Sequence, residues 1–350
     1  MNIGLIGVPK SGKTTVFNAL TGKEIDTTTY SGNETEPNLA VVEVSDPRID
    51  ALAAIYSPER TIYATVELVD FPGVSSSNDG AFGSSALGRI RNCDALAIVL
   101  RNFSDAGIDA ELGVADPKSE LGVVYSELLL ADQIAAEKRL QTLSDNRRKG
   151  RSSEYPREAK ILESLVAGLD EGKPVSGIDL DADAARIVSG FQFLTSKPAF
   201  GVVNSGDEQF GSGFNGELPT IEFAGRLEAE LAVMTPDDAA LFLSDAGIAE
   251  SARARLTTFA YQMLGYVSFF TVGDDEVRAW SIRKGSNAVA AAGAIHSDLA
   301  RGFIRAEVFR CEDILEHESE AALKRLGKVR LEGKEYIVDD GDVISVRFSV

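Results

Sequence analysis

The 350-residue chain has few cysteines, no long apolar run and no excess of positive charge, and each of these absences excludes a class of protein. Its two cysteines, Cys93 and Cys311, are far apart and outside any metal-ligand spacing, so we expect reduced core thiols rather than a disulfide framework. No apolar run reaches membrane-spanning length, and the N-terminus lacks the charged-then-apolar order of a signal peptide. A net charge of −19 argues against indiscriminate nucleic-acid binding through a positively charged surface. We therefore expect a cytoplasmic protein of several domains, with neither membrane nor DNA as a partner.

A glycine-rich loop lies near the N-terminus, between a strand pattern and a helix pattern. The apolar run 2–6 leads into Gly7-Val8-Pro9-Lys10-Ser11-Gly12-Lys13-Thr14, after which apolar residues recur at helical spacing. The Gly-x-x-x-x-Gly-Lys-Thr pattern is that of a P-loop, whose backbone N–H groups form a nest for phosphate oxygens. We predict that Lys13 binds the β- and γ-phosphates and that the Thr14 hydroxyl binds Mg²⁺. The alternative is a tight strand-to-helix turn, and the intact Gly-Lys-Thr ending argues against it.

A second motif, Asp70-Phe71-Pro72-Gly73, follows an apolar strand pattern at residues 65–69. An aspartate at the end of such a strand can hold Mg²⁺ through water, and the Gly73 N–H can meet the γ-phosphate. We therefore predict catalytic roles for Lys13 and Gly73. The next residue is Val74, at the position where Ras-like enzymes orient the attacking water with Gln. Because valine cannot hydrogen-bond water, hydrolysis needs another route or a partner's residue, or the protein turns nucleotide over very little.

A candidate base-recognition segment, Asn204-Ser205-Gly206-Asp207, follows an apolar strand pattern at 199–203. Guanine-specific switches use Asn-Lys-x-Asp, in which the aspartate accepts hydrogen bonds from guanine N1–H and the 2-amino group. Here Ser205 replaces the lysine, while Asp207 would still favour guanine, because adenine has an acceptor at N1 and no 2-amino group. The alternative is a turn without a ligand, which these residue types also favour. The backbone N–H of Ala224, after a strand pattern at 220–223, is a further candidate contact with the base.

The arrangement of apolar segments predicts three regions. Strand patterns separated by helices or loops in the first 223 residues predict an α/β fold with a mostly parallel sheet. Apolar stripes at 124–135 and 159–169 predict an antiparallel helical hairpin, and from about residue 265 short strands and tight turns predict a small α+β domain. We therefore divide the chain into a P-loop NTPase domain (residues 1–117 and 185–262), a helical insertion (118–184) and a C-terminal domain (265–350).

With these motifs in place, the chain resembles the Obg-like ATPase (YchF) family of translation-factor-related P-loop NTPases. The resemblance spans nearly the whole chain and is densest over residues 277–285, 295–298 and 302–307. It implies that the C-terminal domain is a TGS domain with a β-grasp fold, which in this family is linked to RNA or ribosome contact. It also implies a hydrophobic residue in place of the Ras-like Gln, which agrees with Val74.

The chain departs from the family pattern at two positions. Family members usually prefer ATP and have Glu at the position of Asp207, so the choice between ATP and GTP stays open. They usually have Asn at the position of Lys10, where in related NTPases it helps to bind a catalytic K⁺. The Lys10 ammonium either supplies that positive charge or is a solvated loop lysine. In the switch I segment Thr35 is the nearest candidate for a Mg²⁺ ligand, although an ungapped match places Glu34 there.

The function predicted from these residues is a slow, Mg²⁺-dependent NTPase switch that hydrolyses ATP, with GTP as the other candidate, and acts with the ribosome or RNA. The alternatives are a nucleotide-dependent binding module with little hydrolysis and a small-molecule kinase. The base-recognition segment argues against the kinase, because a kinase does not need such a segment. The basic residues at 147–151 are either an RNA or ribosome contact or a solvated turn. The predicted nucleotide-binding residues are Gly7, Pro9, Lys10, Ser11, Gly12, Lys13, Thr14, Thr15, Asn204, Asp207 and Ala224, and the predicted metal ligands are Thr14, Asp70 and Thr35.

Overall fold

A computed structural model describes residues 1–22, 37–72, 84–149, 155–211, 213–214, 216, 218–231, 234–245, 248 and 250–349. The chain divides into two compact units, residues 1–41 with 67–252 and residues 42–66 with 253–350. Within the described ranges, no helix is both long enough and apolar enough to cross a membrane.

Two six-stranded sheets contain the strands of the described residues, in the orders β2-β4-β1-β5-β6-β7 and β11-β10-β12-β8-β9-β3 once the strands are numbered along the chain. The strands are β1 (Asn2–Ile6), β2 (Asn38–Glu43), β3 (Arg60–Ile62), β4 (Thr65–Asp70), β5 (Ala95–Asn102), β6 (Ala199–Ser205), β7 (Thr220–Phe223), β8 (Tyr266–Thr271), β9 (Glu276–Arg283), β10 (Phe303–Arg310), β11 (Arg330–Glu332) and β12 (Asp342–Phe348).

The α-helices of the described residues are also numbered along the chain. They are α1 (Lys13–Thr21), α2 (Pro47–Tyr56), α3 (Ser84–Ile90), α4 (Ala106–Leu112), α5 (Pro117–Arg148), α6 (Tyr155–Asp170), α7 (Ala182–Ser189), α8 (Gly225–Leu231), α9 (Pro236–Asp245), α10 (Ala252–Met263), α11 (Ala288–Ile295), α12 (Ser297–Arg301), α13 (Cys311–His317) and α14 (Glu320–Arg325).

In the first unit, β4, β1, β5, β6 and β7 run parallel. The residues of β5 from Ala95 to Leu100 are all buried, as expected for a strand covered on both faces. Polar residues lie at the carboxyl ends of three of these strands, as Asp70 on β4, Arg101 on β5 and Asn204 on β6. Since parallel strands end at one edge of the sheet, the topology gathers these side chains at a single edge. The predicted α/β fold is confirmed.

The helical hairpin is confirmed, but its first helix also belongs to the core of the NTPase fold. α5 begins at the N-cap Asp116, whose carboxylate accepts hydrogen bonds from two backbone N–H groups of the first turn, and runs for 32 residues. Its early residues Val124 and Leu128 pack in the same core as Ile98 of β5. Its later residues pack against α6 in a separate cluster. The sequence marks the whole of 118–184 as an insertion, because a helical stripe does not reveal where its packing partner changes.

The second unit has the strand arrangement of a β-grasp fold. β8 and β9 form an antiparallel pair, β12 lies parallel to β8, and β10 pairs antiparallel with β12. Three alanines of α11 pack on this sheet, against residues that include Phe269 and Val308. The sequence also predicts a strand at residues 335–338, and this prediction is wrong, because within the described part of the second unit the segment makes only an isolated bridge between Ile337 and Asn287.

Residues 42–66 belong to this second unit, although the sequence places them inside the NTPase domain. β3 joins the C-terminal sheet by parallel pairing with β9. Arg48 forms ion pairs with Asp46 at 2.8 Å and with Asp340 at 2.7 Å. The Tyr56 hydroxyl donates a hydrogen bond to Glu320 at 2.9 Å. Apart from Asp46, these partners are remote in sequence, so apolar periodicity gives no sign of them.

Candidate nucleotide-binding site

The P-loop is packed so closely that glycine is required at two of its positions. A Cβ atom at Gly7 would lie 2.4 Å from the backbone oxygen of Val99 on β5. A Cβ atom at Gly12 would lie 2.1 Å from Nδ2 of Asn204, and the φ angle of Gly12 is +91°, which disfavours any other residue. α1 begins at the next residue, Lys13, so the loop ends at the positive end of a helix dipole. The loop therefore has the backbone of an anion-binding nest.

Lys13 is buried inside this loop. Its ammonium donates hydrogen bonds to the backbone oxygens of Val8 at 2.8 Å and Gly7 at 3.2 Å. Burial lowers the pKa of Lys13 to about 8, while the nearby negative charges of Asp70 and Glu120 act in the opposite direction. A poorly hydrated ammonium beside a nest of N–H groups gives the site a strong preference for an anion.

Thr14 and Asp70 come together as a pair of oxygen ligands. The Thr14 hydroxyl donates to the Asp70 carboxylate at 3.3 Å, and both side chains are buried. A hydroxyl and a carboxylate are hard oxygen donors of the kind that Mg²⁺ selects, so the residues present fit this ion. In the described ranges, no cluster of three or more His, Cys, Asp or Glu side chains could hold a metal without other ligands. A Mg²⁺ ion here would therefore need water and phosphate oxygens as well, as is usual for this ion.

Asn204 lies against the P-loop. Its Nδ2 donates a hydrogen bond to the backbone oxygen of Ser11 at 3.2 Å. On the other side of the amide, a Cβ atom at Gly225 would lie 2.6 Å from Asn204 Oδ1. Asn204 therefore fastens β6 to the phosphate-binding loop, while the rest of its motif faces a different space.

That space is an open cleft of about 510 Å³ between the P-loop helix, the end of β5, the segment after β6 and the start of α8. Its side chains combine an aromatic ring, hydrogen-bonding groups and charges, which suits a nucleobase. The Asp207 carboxylate is largely exposed and lies 4.0 Å from the guanidinium of Arg226. Residues that line the cleft include Thr15, Phe103, Asn204, Ser205, Asp207 and Arg226.

Ser205 connects neighbouring strands at this cleft, and Ala224 is buried beside it. The Ser205 hydroxyl accepts from Asn102 at 2.9 Å and donates to Glu222 at 2.8 Å, which joins β5, β6 and β7. Ala224 is buried, and its neighbour Gly225 lines the cleft. Of the predicted base-recognition residues, Asn204 and Asp207 line the cleft, and Ala224 lies next to Gly225, which also lines it.

Arg101, for which no sequence motif predicts a role, is 2% exposed at the end of β5. Its backbone N–H donates to Glu120 at 2.8 Å, and its guanidinium donates to Asp109 at 3.0 Å and to the backbone oxygen of Gly113 at 2.6 Å. Burial raises the pKa of Glu120 despite these contacts. The sequence feature that could have indicated a role for Arg101 is its position directly after six apolar residues.

Lys10 stands apart from the other loop residues. It adopts φ = +63°, which is uncommon for a residue with a side chain, and its ammonium pairs with the carboxylate of Glu111 on α4. Pro9 is partly buried, and the Ser11 hydroxyl is buried without a hydrogen-bond partner among the described residues.

Several predicted residues lie outside the described ranges. They are Thr35 with the alternative Glu34, Gly73 with its neighbour Val74, and Arg151.

The chain is similar over its full length to curated proteins. It is 37% identical over 361 residues to the "Ribosome-binding ATPase YchF" of Pasteurella multocida, and 99% of each chain is covered. It is 36% identical over 367 residues to the protein of the same name from Bacillus subtilis, with complete coverage of both. It is 34% identical over 365 residues to "Obg-like ATPase 1" of Oryza sativa, covering 100% of this chain and 92% of the relative.

Family models and a solved structure agree with these similarities. Residues 2–125 match the model described as "50S ribosome-binding GTPase". Residues 266–349 match the model YchF-GTPase_C, described as "Protein of unknown function (DUF933)". The solved structure of the Schizosaccharomyces pombe YchF GTPase is 28% identical, with a TM-score of 0.85 and coverage of 99% of this chain and 97% of that one.

Proposed function

This chain belongs to the YchF family of P-loop NTPases, and on that premise we propose that it is a Mg²⁺-dependent ATPase that acts as a switch on the ribosome. The observation that carries this proposal is the buried Thr14–Asp70 pair, 3.3 Å apart, beside the buried ammonium of Lys13. Together they supply two oxygen ligands for Mg²⁺ and one positive charge for the phosphates.

In this proposal the chain positions the nucleotide and stabilises charge. The Thr14 hydroxyl and the Asp70 carboxylate would hold Mg²⁺, which would supply positive charge to the β- and γ-phosphates. Lys13 exchanges the carbonyls of Gly7 and Val8 for phosphate oxygens. Water attacks the γ-phosphorus while the bond to the β–γ bridging oxygen breaks, so that the nucleoside diphosphate leaves, a proton of the water passes to a phosphate oxygen, and inorganic phosphate is released. Gly73 donates its N–H to the γ-phosphate. Val74 offers the water no hydrogen bond, so we expect slow turnover without a partner.

ATP is the proposed substrate, and GTP is the alternative. The relatives named as ATPases cover the entire chain, which favours ATP. Asp207 by itself favours guanine, but its carboxylate lies 4.0 Å from Arg226, which competes with a base for it. Side-by-side titration with non-hydrolysable ATP and GTP analogues in Mg²⁺ decides between them. Tighter GTP binding would overturn the choice of ATP and leave the NTPase assignment in place.

Single-turnover hydrolysis tests the chemistry. We expect ATP turnover in wild-type protein that needs Mg²⁺ and is lost in Lys13→Ala and strongly reduced in Asp70→Asn. Tight nucleotide binding without hydrolysis would favour the binding-module alternative. Transfer of phosphate to a metabolite, with little released to water, would favour the kinase. Lys284→Ala, on the second unit, serves as a control for loss of a lysine outside the phosphate-binding loop.

The proposed ribosomal partner is supported by the names of the relatives and by the basic end of α5. Arg147 and Arg148 lie in its last turn, and the Arg148 side chain is 77% exposed. Replacing Arg147, Arg148, Lys149 and Arg151 by Gln should weaken co-sedimentation with ribosomes and flatten its salt dependence. Unchanged co-sedimentation would exclude these four residues as the contact, while ATP hydrolysis by the same variant would show that the nucleotide site is intact.

A further inference from the structure

Lys10, in the phosphate-binding loop, has a backbone conformation that is unfavourable for a residue with a side chain. Its φ angle of +63° lies in the left-handed region, where a side chain costs roughly 1 kcal/mol relative to glycine or asparagine. The residue nevertheless carries a long cationic side chain, and its neighbours in the loop form a nest for phosphate oxygens. A strained cationic residue at such a place points to a role for its charge.

In this structure the Lys10 ammonium pairs with the carboxylate of Glu111, and both side chains are partly exposed, by 44% and 60%. A partly exposed ion pair is weak enough to be broken by a competing anion. Bound phosphates carry several negative charges and would offer the ammonium a stronger partner than one carboxylate. The Glu111 carboxylate and the phosphates of a nucleotide would therefore compete for the Lys10 ammonium.

The helix that carries Glu111 is held firmly to the nucleotide-binding unit. At its start, the Asp105 carboxylate accepts hydrogen bonds from the N–H groups of Gly107 and Ile108. Two residues before Glu111, Asp109 pairs with the guanidinium of Arg101 at 3.0 Å. Just beyond the helix, the same guanidinium binds the backbone oxygen of Gly113. The buried Arg101 therefore ties α4, the helix that carries Glu111, to the end of β5.

We propose that Glu111 is a positioning residue that competes with the phosphates of the bound nucleotide for the Lys10 ammonium, and so weakens nucleotide binding and speeds nucleotide release. The proposal rests on the proposed function, since it assumes that the loop binds a nucleotide. It extends that function by naming a built-in competitor, which lets the nucleotide leave without a separate protein that opens the site.

The test is a double-mutant cycle on nucleotide binding, with fluorescent mant-ATP and mant-ADP in Mg²⁺ as probes. Glu111→Gln should tighten binding and slow dissociation by roughly twofold to fivefold, the range expected for loss of a partly exposed ion pair. Lys10→Gln should weaken binding. In the Lys10→Gln background, Glu111→Gln should have no further effect, because the competition acts through Lys10. Glu111→Asp retains the charge and should restore values close to the wild type.

Two outcomes would overturn the proposal. Equal tightening by Glu111→Gln in the presence and absence of Lys10 would mean a long-range charge effect that does not pass through Lys10. An unchanged dissociation rate in Glu111→Gln would mean that the ion pair does not compete with the phosphates. Wild-type protein and Lys13→Ala are measured in parallel, so that failure of nucleotide binding itself, which would contradict the proposed function, is recognised separately. All readouts are of binding, so slow or absent hydrolysis does not affect the result.

Discussion

The two ends of the candidate nucleotide site differ in how closely they are packed. At the phosphate end, Lys13 and Asp70 are buried, and a single added carbon at Gly12 would meet Asn204 at 2.1 Å. At the base end, the side chains of Asp207 and Arg226 are 67% and 80% exposed beside an open cleft. The phosphate end has little freedom to accept substitutions, whereas a change at the base end meets mostly solvent. The contrast agrees with where the chain departs from the family pattern, since Asp207 and Lys10 both have exposed side chains while the packed glycines, Lys13 and Thr14 of the P-loop are kept.

Gly12→Ala should produce the largest effect, because it breaks the close packing of the phosphate end. The added methyl group meets Asn204 and forces a residue with a side chain to hold φ = +91°, which together should weaken nucleotide binding by roughly 100-fold. Titration with an ATP analogue measures the loss.

Gly22→Ala is the matched control for this substitution. Gly22 also has a positive φ angle, at the other end of α1, but no atom lies within 4 Å of an added Cβ. It should share the backbone strain and retain nucleotide binding. Equal loss in both variants would show that backbone strain, and not the contact with Asn204, accounts for the requirement for glycine.

A change of pH should affect the phosphate end next most strongly. The pKa of Lys13 is lowered to about 8, so above pH 8 the unliganded protein loses this proton, and nucleotide binding must restore it. Affinity should therefore fall by up to roughly tenfold per pH unit above pH 8 and stay level below it. Calorimetry in buffers of different ionisation enthalpy should detect uptake of about half a proton at pH 8.

The lowered pKa of Lys13 also determines how this residue changes the stability of the fold as the pH rises. The unfolded chain has the ordinary lysine value of 10.5 and therefore binds more protons than the folded protein between pH 8 and 10.5. The contribution of Lys13 to the free energy of unfolding should rise with pH in that window. Binding that is independent of pH from 7 to 9.5 would contradict the buried environment of this ammonium.

The smallest expected effects separate two residues of one motif. Asn204→Ala removes the hydrogen bond to Ser11 and should weaken ATP and GTP analogues equally, by roughly fivefold to tenfold. Asp207→Asn acts on the exposed base end and should weaken the GTP analogue by only about threefold, with less effect on the ATP analogue. Parallel titrations of both variants provide the comparison, and a change in ATP-to-GTP ratio in Asn204→Ala would assign this residue to the base end instead.

The sequence predicted those parts of the site that depend on a local pattern. Lys13 and Thr14 follow from the loop motif, and Asp70 and Asn204 follow from their place at the ends of apolar strands. Arg101, Glu111 and Glu120 could not be assigned in this way, because their contacts depend on where α4 and α5 pack. The assignment of residues 42–66 to the second unit depends on the pairing of β3 with β9, which no local pattern encodes.

The pairing of β3 with β9 also constrains how the chain can fold during its own synthesis. Arg60 pairs with Glu276, roughly 200 residues later, and at 5–20 residues per second the partner strand follows after about 10–40 s. During this interval α2 has been made, but the sheet that buries its residues Ile49 and Leu52 is incomplete. The second unit can therefore close only after nearly the entire chain has been translated. Until then, the apolar residues of its N-terminal segment stay exposed. Chaperones can bind them, and they can cause aggregation.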